Sequence, residues 1–78
     1  MSVQQLQTIA ASGKPWASNR AQMALAITEQ YQGGGVSTSE YQELMKDLVR
    51  MDTLNAEADD LALKTALVQA IYLVAQVA

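Results

Sequence analysis

Residues 61–78 read LALKTALVQAIYLVAQVA, and this stretch decides the fold because its large apolar side chains occupy more than one face of a helix. A helix that is apolar around most of its circumference has to be covered on most sides. One neighbouring helix with a narrow apolar stripe covers only one side, so we expect another protomer or another protein to cover the rest. The residues that need this cover are Leu61, Leu63, Leu67, Val68, Ile71, Tyr72, Leu73, Val74 and Val77.

The apolar pattern weakens between Met51 and Leu61, where residues that prefer helix ends are frequent. Because this interval contains neither Gly nor Pro, one helix from Thr38 to Val77 is compatible with it. The apolar residues before and after the interval do not share one helical phase, which favours a break or kink near residues 52–55. Both interpretations stay open on the sequence alone.

The clearest local signal is the sequence VSTSEY at residues 36–41. Ser37 as N-cap and Glu40 three residues later fit the capping box, in which each side chain accepts a hydrogen bond from the backbone N–H of the other residue. Val36 and Tyr41 fit the hydrophobic staple that flanks such a cap. The pattern predicts a helix that begins after Ser37. Its predicted buried seam consists of Tyr41, Leu44, Leu48 and Met51.

Three consecutive glycines, Gly33, Gly34 and Gly35, separate this helix from the one before it. Glycine has the widest choice of backbone angles, so the run predicts a flexible hinge between two helices. A phosphate-binding loop would need a preceding strand and a following Lys-Ser or Lys-Thr pair, and the sequence has neither.

The helix before the glycines begins either at Pro15, which is tolerated in a first turn, or at Ser18 as N-cap, and it ends near Gln32. Trp16 follows the proline at a corner of the chain. An aromatic residue in this place either enters a partner's pocket or packs on the chain's own corner, and the sequence does not decide between the two. The predicted buried stripe of this helix consists of Trp16, Arg20, Met23, Ile27 and Tyr31.

A short helix that begins at Ser2 precedes this corner and ends at Ser12 and Gly13. A helix of about ten residues is unstable in water unless it packs on something. We therefore expect residues 1–13 to form an N-terminal arm that is mobile or clasps a neighbour, and residues 14–78 to form the core. These elements predict an all-α fold, either a helical hairpin or a small three- to four-helix bundle, with a short N-terminal arm helix and a long apolar C-terminal helix.

The composition excludes several classes of function. The 78 residues include no Cys and no His, so disulfides and the commonest transition-metal ligands are absent. The formal net charge is −3 and the five basic residues do not cluster, which argues against nucleic-acid binding. No group of residues has the pattern of a catalytic triad or a carboxylate pair. The sequence predicts no enzyme, no cofactor and no small-molecule substrate.

Four carboxylates, those of Asp52, Glu57, Asp59 and Asp60, lie close together in sequence. They lack the alternation and the glycine of a calcium-binding EF-hand loop, and they fit the start of a helix better. The apolar stretch from Ala66 to Ala78 is shorter than the roughly 20 residues of a membrane span. The N-terminus also lacks the basic and apolar regions of a secretory signal, so we expect a virion or host-cytoplasm location rather than secretion.

Residues 37–48, STSEYQELMKDL, and 58–67, ADDLALKTAL, resemble small helical proteins encoded among the structural genes of tailed bacteriophages. The resemblance implies a non-enzymatic part of a head, tail or internal virion assembly that is present in repeated copies. It carries over no individual functional residue.

Two functional hypotheses follow. The first is a structural or assembly subunit that forms a homo-oligomer or a multi-copy assembly with other structural proteins, and the second is a small regulator that binds one host or viral enzyme one-to-one. A helix lying on a membrane surface fits less well, because the C-terminal stretch has no basic face. The predicted partner contacts are Trp16, Leu63, Leu67, Ile71, Val74 and Val77.

Overall fold

The computed structural model describes residues 2–50, 54, 56 and 58–77, and it forms four helices there without any strand. The helices are α1 (Ser2–Ala10), α2 (Pro15–Gln32), α3 (Thr38–Leu48) and α4 (Leu61–Val77). The predicted all-α class is confirmed in the form of a small four-helix bundle.

Hydrogen bonds between side chains and neighbouring helices define the directions of α2, α3 and α4. The Arg20 Nε donates to the carbonyl oxygen of Leu48 at 3.1 Å, and the hydroxyl groups of Thr28 and Tyr41 lie 3.0 Å apart. The start of α2 therefore lies beside the end of α3, so these two helices are antiparallel. The Tyr41 hydroxyl also lies 3.5 Å from the carbonyl oxygen of Val74, which places the last turns of α4 beside the end of α2.

Helix α1 is part of the core. Leu6 has no exposed surface and Ile9 is buried, because α1 packs against both α2 and α4. Ser18 at the first turns of α2 fixes the corner by donating its hydroxyl proton to the carbonyl oxygen of Ala10 at 2.6 Å. The expectation of a detached N-terminal arm over residues 1–13 is therefore corrected: the arm helix is a wall of the bundle.

The docked position of α1 changes how α4 is covered. Leu67 and Ile71 have no exposed surface and Val74 is buried, because α1, α2 and α3 all contact α4. The expectation that these residues need another chain to cover them is wrong, since three helices of the same chain supply the cover. Leu63 is partly buried against this core. The side chain of Val77 lies outside the described residues.

The buried side of α2 is formed by small residues. Ala17, Ala21 and Ala24 have no exposed surface, whereas Met23 is 53% exposed. The predicted stripe is therefore wrong at Met23, whereas Trp16 is buried and Ile27 and Tyr31 pack against the core. Alanine at the contact lets helix axes approach closely, which allows α2 to contact the other three helices. The helix begins at Pro15, not at Ser18.

Helices α3 and α4 are separate. Helix α3 ends at Leu48, and the residues immediately before Leu61 are not helical. The side chain of Asp60 caps α4, because its Oδ1 accepts a hydrogen bond from the backbone N–H of Leu63 at 3.0 Å. One continuous helix from residue 38 to 77 is thus excluded. Of the predicted break at residues 52–55, residues 52, 53 and 55 lie outside the described residues.

The glycine run forms a defined turn after α2. The backbone N–H of Gly34 donates to the carbonyl of Tyr31 at 3.1 Å, and that of Gly35 donates to the carbonyl of Gln30 at 2.8 Å. This pair of bonds is the Schellman motif, which needs a left-handed residue at its centre. Gly34 has a φ of +80° and fills that position, while Gly33 has an ordinary φ of −83°. Hinge motion at these glycines stays a prediction.

The N-terminus of α3 has the predicted capping box. The Ser37 Oγ accepts from the backbone N–H of Glu40 at 3.1 Å, and the Glu40 Oε1 accepts from the backbone N–H of Ser37 at the same distance. These bonds lower the pKa of the Glu40 carboxyl, because they stabilise its charged form. Tyr41 is fully buried and Val36 is partly buried beside the core.

Candidate protein-interaction surface

Trp16 belongs to the corner between α1 and α2. Its Nε1 donates to the Oδ1 of Asp59 at 3.0 Å, and only 8% of the residue is exposed. The Lys14 Nζ lies 3.4 Å from the other carboxylate oxygen of Asp59. Of the two roles open for Trp16, the structure therefore shows packing on the chain's own corner, where it ties α2 to the segment before α4.

The hydrogen bond from Trp16 lowers the pKa of the Asp59 carboxyl, and the positive charge of Lys14 acts in the same direction. Slight loss of hydration opposes them by raising the pKa. The charged form of Asp59 is therefore the form that holds this corner.

The predicted partner contacts do not form a surface. Leu67, Ile71 and Val74 are buried inside the bundle together with Trp16, and Leu63 is partly buried. A partner could reach these side chains only if the bundle opened. The sequence interpretation is therefore corrected for Trp16, Leu67, Ile71 and Val74, which belong to the core of this chain.

Charged residues are distributed unevenly among the four helices. The chain has eight acidic and five basic residues, yet α1 contains none of them and α4 contains only Lys64. Because α1 and α4 pack against each other, their exposed residues adjoin at Ala66, whereas Tyr72 and Gln76 lie at the edge towards Lys46 of α3. We call their exposed residues the uncharged face. It consists of Val3, Gln4, Gln5, Gln7 and Thr8 of α1, and of Leu61, Ala62, Thr65, Ala66, Gln69, Tyr72, Leu73 and Gln76 of α4.

A groove of about 400 Å³ lies between α1 and α4 on this face. It is lined by Gln4, Gln5, Thr8, Ile9 and Ala66. Amide and hydroxyl groups thus flank an apolar floor. Such groups donate and accept hydrogen bonds, but none of them titrates near neutral pH, so the groove is suited to binding rather than to proton transfer.

Large apolar residues project from the uncharged face. Leu61 is 76% exposed, Leu73 is 46% exposed and Tyr72 is 43% exposed. Some exposed apolar side chains lie beside charges: Leu44 shares a shallow depression with Glu40 and Glu43, and Tyr72 shares one with Lys46 of α3. Exposed apolar residues without neighbouring charges are typical of the centre of protein interfaces, where charged residues are depleted.

The uncharged face escaped the sequence interpretation, although its signal is visible in the sequence. Residues 1–13 and 65–78 contain no charged side chain at all. The apolar periodicity of α4 identifies only the side of this helix that is buried. The long runs of uncharged residues mark the outer side of α4, because solvent-exposed helix faces normally carry charged residues.

Two classes of site do not occur in the part of the chain that the structure describes. No three acidic residues converge as they would around a metal ion, and no helix is long and apolar enough to cross a membrane. No protein-family model, no curated protein and no solved structure matches this chain.

Proposed function

We propose that this protein is a non-enzymatic structural or assembly subunit, which acts when its uncharged face packs against another protein chain. The observation that carries the proposal is the segregation of charge: every exposed residue of α1 and α4 is uncharged, although the chain as a whole is acidic. A surface that remained in water would gain solubility from charged residues, whereas the centre of an interface excludes them.

The chemistry of the described residues supports a binding role over catalysis. The perturbed carboxyls, Glu40 and Asp59, are both occupied in structural hydrogen bonds, one in the cap of α3 and one at the Trp16 corner. Neither lies in the groove between α1 and α4. An enzyme needs several reactive groups that converge on one cleft. These two carboxyls instead lie in different parts of the bundle, and each has a structural role.

The closed core supports a second candidate function, a regulator that binds a single enzyme one-to-one. Because Leu67 and Ile71 are covered within one chain, the bundle does not need a permanent partner to complete its core. A protein of this kind can exist alone and bind reversibly. Stoichiometry separates the candidates, since an assembly subunit forms multi-copy complexes and a regulator forms a one-to-one complex.

The virion setting implied by the resemblance of residues 37–48 and 58–67 to phage structural proteins is part of the proposal. It rests on those two segments alone. It predicts that the protein copurifies with particles in a fixed copy number.

The experiment that tests the proposed function is native mass spectrometry of the tagged protein from cells that naturally produce it. Leu73→Glu places a charge on the uncharged face, and Met23→Glu places one on the exposed side of α2 as a matched control. We expect complexes of fixed stoichiometry that Leu73→Glu abolishes and Met23→Glu retains. A lone 78-residue chain in all three samples, or equal loss in both variants, would refute the proposal.

A further inference from the structure

A depression of about 270 Å³ lies between α3 and α4, at the edge of the uncharged face. Its apolar floor is formed by Met45, which has no exposed surface, and by Ala75, which is buried. Four polar side chains surround this floor, two from each helix: Gln42, Lys46, Tyr72 and Gln76. Because residues four apart share one face of a helix, each helix presents its pair to the depression.

We infer that this depression binds a carboxylate side chain of the partner protein that packs on the uncharged face. The inference rests on the proposed function and names the chemistry of the partner at one edge of the same surface. Three observations support it: the unpaired charge of Lys46, the hydrogen-bonding groups beside it, and the open shape of the depression.

Lys46 is the basic residue whose side chain has no partner among the described residues. The other basic residues are engaged in interactions within the chain: Lys14, Arg20, Arg50 and Lys64. Lys46 forms no ion pair even with Glu43, which lies three positions earlier on the same helix. A chain with a net charge of −3 therefore has one unpaired positive charge here, and that charge borders a concave site with an apolar floor.

The other three polar groups can complete a carboxylate site. The amides of Gln42 and Gln76 each contain an NH₂ donor, and the Tyr72 hydroxyl donates one hydrogen bond. Among the described residues, none of these groups has a hydrogen-bond partner. The two oxygens of a carboxylate accept up to about four hydrogen bonds, and bonds between charged groups are the stronger ones. A cation would be repelled by Lys46, and a purely apolar group would leave all these donors unused.

The open shape of the depression favours a side chain of another protein over a free small molecule. Sites for small molecules bury about 70–90% of the ligand surface. The four polar residues here are exposed, so the outer side of a free ligand would remain in water. An acidic side chain of a partner is covered on that side by its own chain. Tyr72 and Gln76 belong to both the depression and the uncharged face, so a partner on the face also reaches the depression.

The expected role of this contact is specificity. An ion pair at the rim of an interface adds little affinity, because water and salt screen both charges. It does fix the register of the partner, and it disfavours a partner that has a basic residue at the same place.

Nuclear magnetic resonance of the ¹⁵N-labelled full chain tests the carboxylate site directly. The probe is 3-phenylpropionate, which joins a carboxylate to an apolar ring, and the control probe is its neutral amide, 3-phenylpropionamide. At constant ionic strength we expect 3-phenylpropionate to shift the signals of the residues that line the depression, with a Kd on the order of 1–10 mM. The amide should bind about two- to fivefold more weakly, because it lacks the ion pair with Lys46.

Lys46→Gln should remove the preference for the carboxylate, so that both probes bind alike. Lys14→Gln is the matched control, because it removes the same charge from a lysine outside the depression, and it should keep the preference. Circular dichroism confirms that both variants are folded. Three outcomes would overturn the inference: no shifts up to about 50 mM probe, equal binding of the two probes to the unchanged chain, or equal effects of the two substitutions.

The complexes isolated from the cells that naturally produce the protein test where the carboxylate comes from. Lys46→Glu places like charges together and should lower the amount of complex in native mass spectra at least about tenfold. Met23→Glu adds the same charge to the exposed side of α2 and should have no effect. Complexes that survive Lys46→Glu while the chain binds 3-phenylpropionate would assign the site to a free carboxylate. That result would overturn the inference and leave the proposed function standing. Absence of complexes in every sample would refute both.

Discussion

The hydroxyl groups of Thr28 and Tyr41 lie 3.0 Å apart in the buried interior and join α2 to α3. Thr28 donates its only hydroxyl proton to the carbonyl oxygen of Ala24 at 2.8 Å, so the single proton of the Tyr41 hydroxyl is shared between the Thr28 oxygen and a second acceptor in α4. The carbonyl oxygen of Val74 in α4 lies 3.5 Å from the same Tyr41 hydroxyl. One tyrosine therefore provides a polar connection among three helices in an otherwise apolar core.

Replacing Tyr41 by Phe removes this connection and retains the ring. We expect a loss of about 1–2 kcal/mol in the free energy of unfolding, because the buried hydrogen bonds disappear. For a domain of this size that is a fall of roughly 5–15 °C in Tm, measured by circular dichroism. Tyr31→Phe is the matched control, because its ring stacks on Tyr41 with centroids 4.4 Å apart and its hydroxyl bonds Thr38 at the exposed surface. An equal Tm change in the two variants would contradict the assigned role of Tyr41.

The position of α1 in the core is tested by Leu6→Ala. Leu6 has no exposed surface, so its truncation leaves a cavity and should lower the free energy of unfolding by about 2–5 kcal/mol. Val3→Ala in the same helix, at a partly exposed site, should cost well under half as much. Urea denaturation monitored by circular dichroism measures both variants. A mobile arm would make the two substitutions equally harmless.

The Trp16 corner makes stability dependent on pH in the acid range. The pKa of Asp59 is lowered in the folded chain, so its contribution to stability is present above the ordinary carboxyl pKa near 4 and is lost as pH falls through the folded value. The lowered pKa of Glu40 acts with the same sign. We expect Tm to fall as the pH is lowered from 5 to below 3 (roughly the window of the two lowered carboxyls).

Fluorescence of the only tryptophan reports the same corner locally. In Asp59→Asn the change in Trp16 emission below about pH 4 should be much smaller, because the titrating carboxylate is gone. Asp47→Asn is the control, since the Asp47 carboxylate accepts no hydrogen bond within the described residues. An unaltered acid transition in Asp59→Asn would show that another group controls the corner.

Alanine substitutions at two neighbouring glycines of the turn should have opposite effects on the free energy of unfolding. Gly34 has a φ of +80°, so Gly34→Ala should lower the free energy of unfolding by about 1 kcal/mol. Gly33 has a φ of −83° and space for a methyl group at 3.4 Å from the carbonyl oxygen of Glu29. Gly33→Ala should be neutral or slightly stabilising, because alanine reduces the freedom of the unfolded chain. Thermal unfolding measures both, and equal destabilisation would contradict the Schellman geometry.

Local features of the fold could be predicted from the sequence because they depend on neighbouring residues. The Ser37–Glu40 cap and the end of the first helix at Gly13, whose φ is positive, occur as expected, and α2 begins at Pro15, one of the two starts that the sequence allows. Each of them is fixed by backbone geometry and by a hydrogen bond within a few residues. The Asp60 carboxylate also caps a helix start, as its position predicted.

Features that depend on distant contacts could not be predicted in the same way. Leu6 is fully buried because α2 and α4 happen to meet it, and nothing within residues 1–13 records that meeting. The sequence pattern therefore underestimates how much of α4 is buried within the chain, because it predicts an arm where α1 packs on the bundle. On α2 the sequence pattern predicts that Met23 is buried, yet Ala21 is buried and Met23 is not, because close helix approach favours small residues.

The buried alanines of α2 have one more consequence, which concerns how related sequences can differ. These alanines are Ala17, Ala21 and Ala24. Side chains no larger than a methyl group keep helix axes near the short end of the usual separation, about 8 Å. A larger valine or leucine side chain at these sites would have no space to occupy and would push the helices apart. Three small residues spaced four and three apart, placed shortly after a proline, are the signature by which distant kin of this chain should be sought.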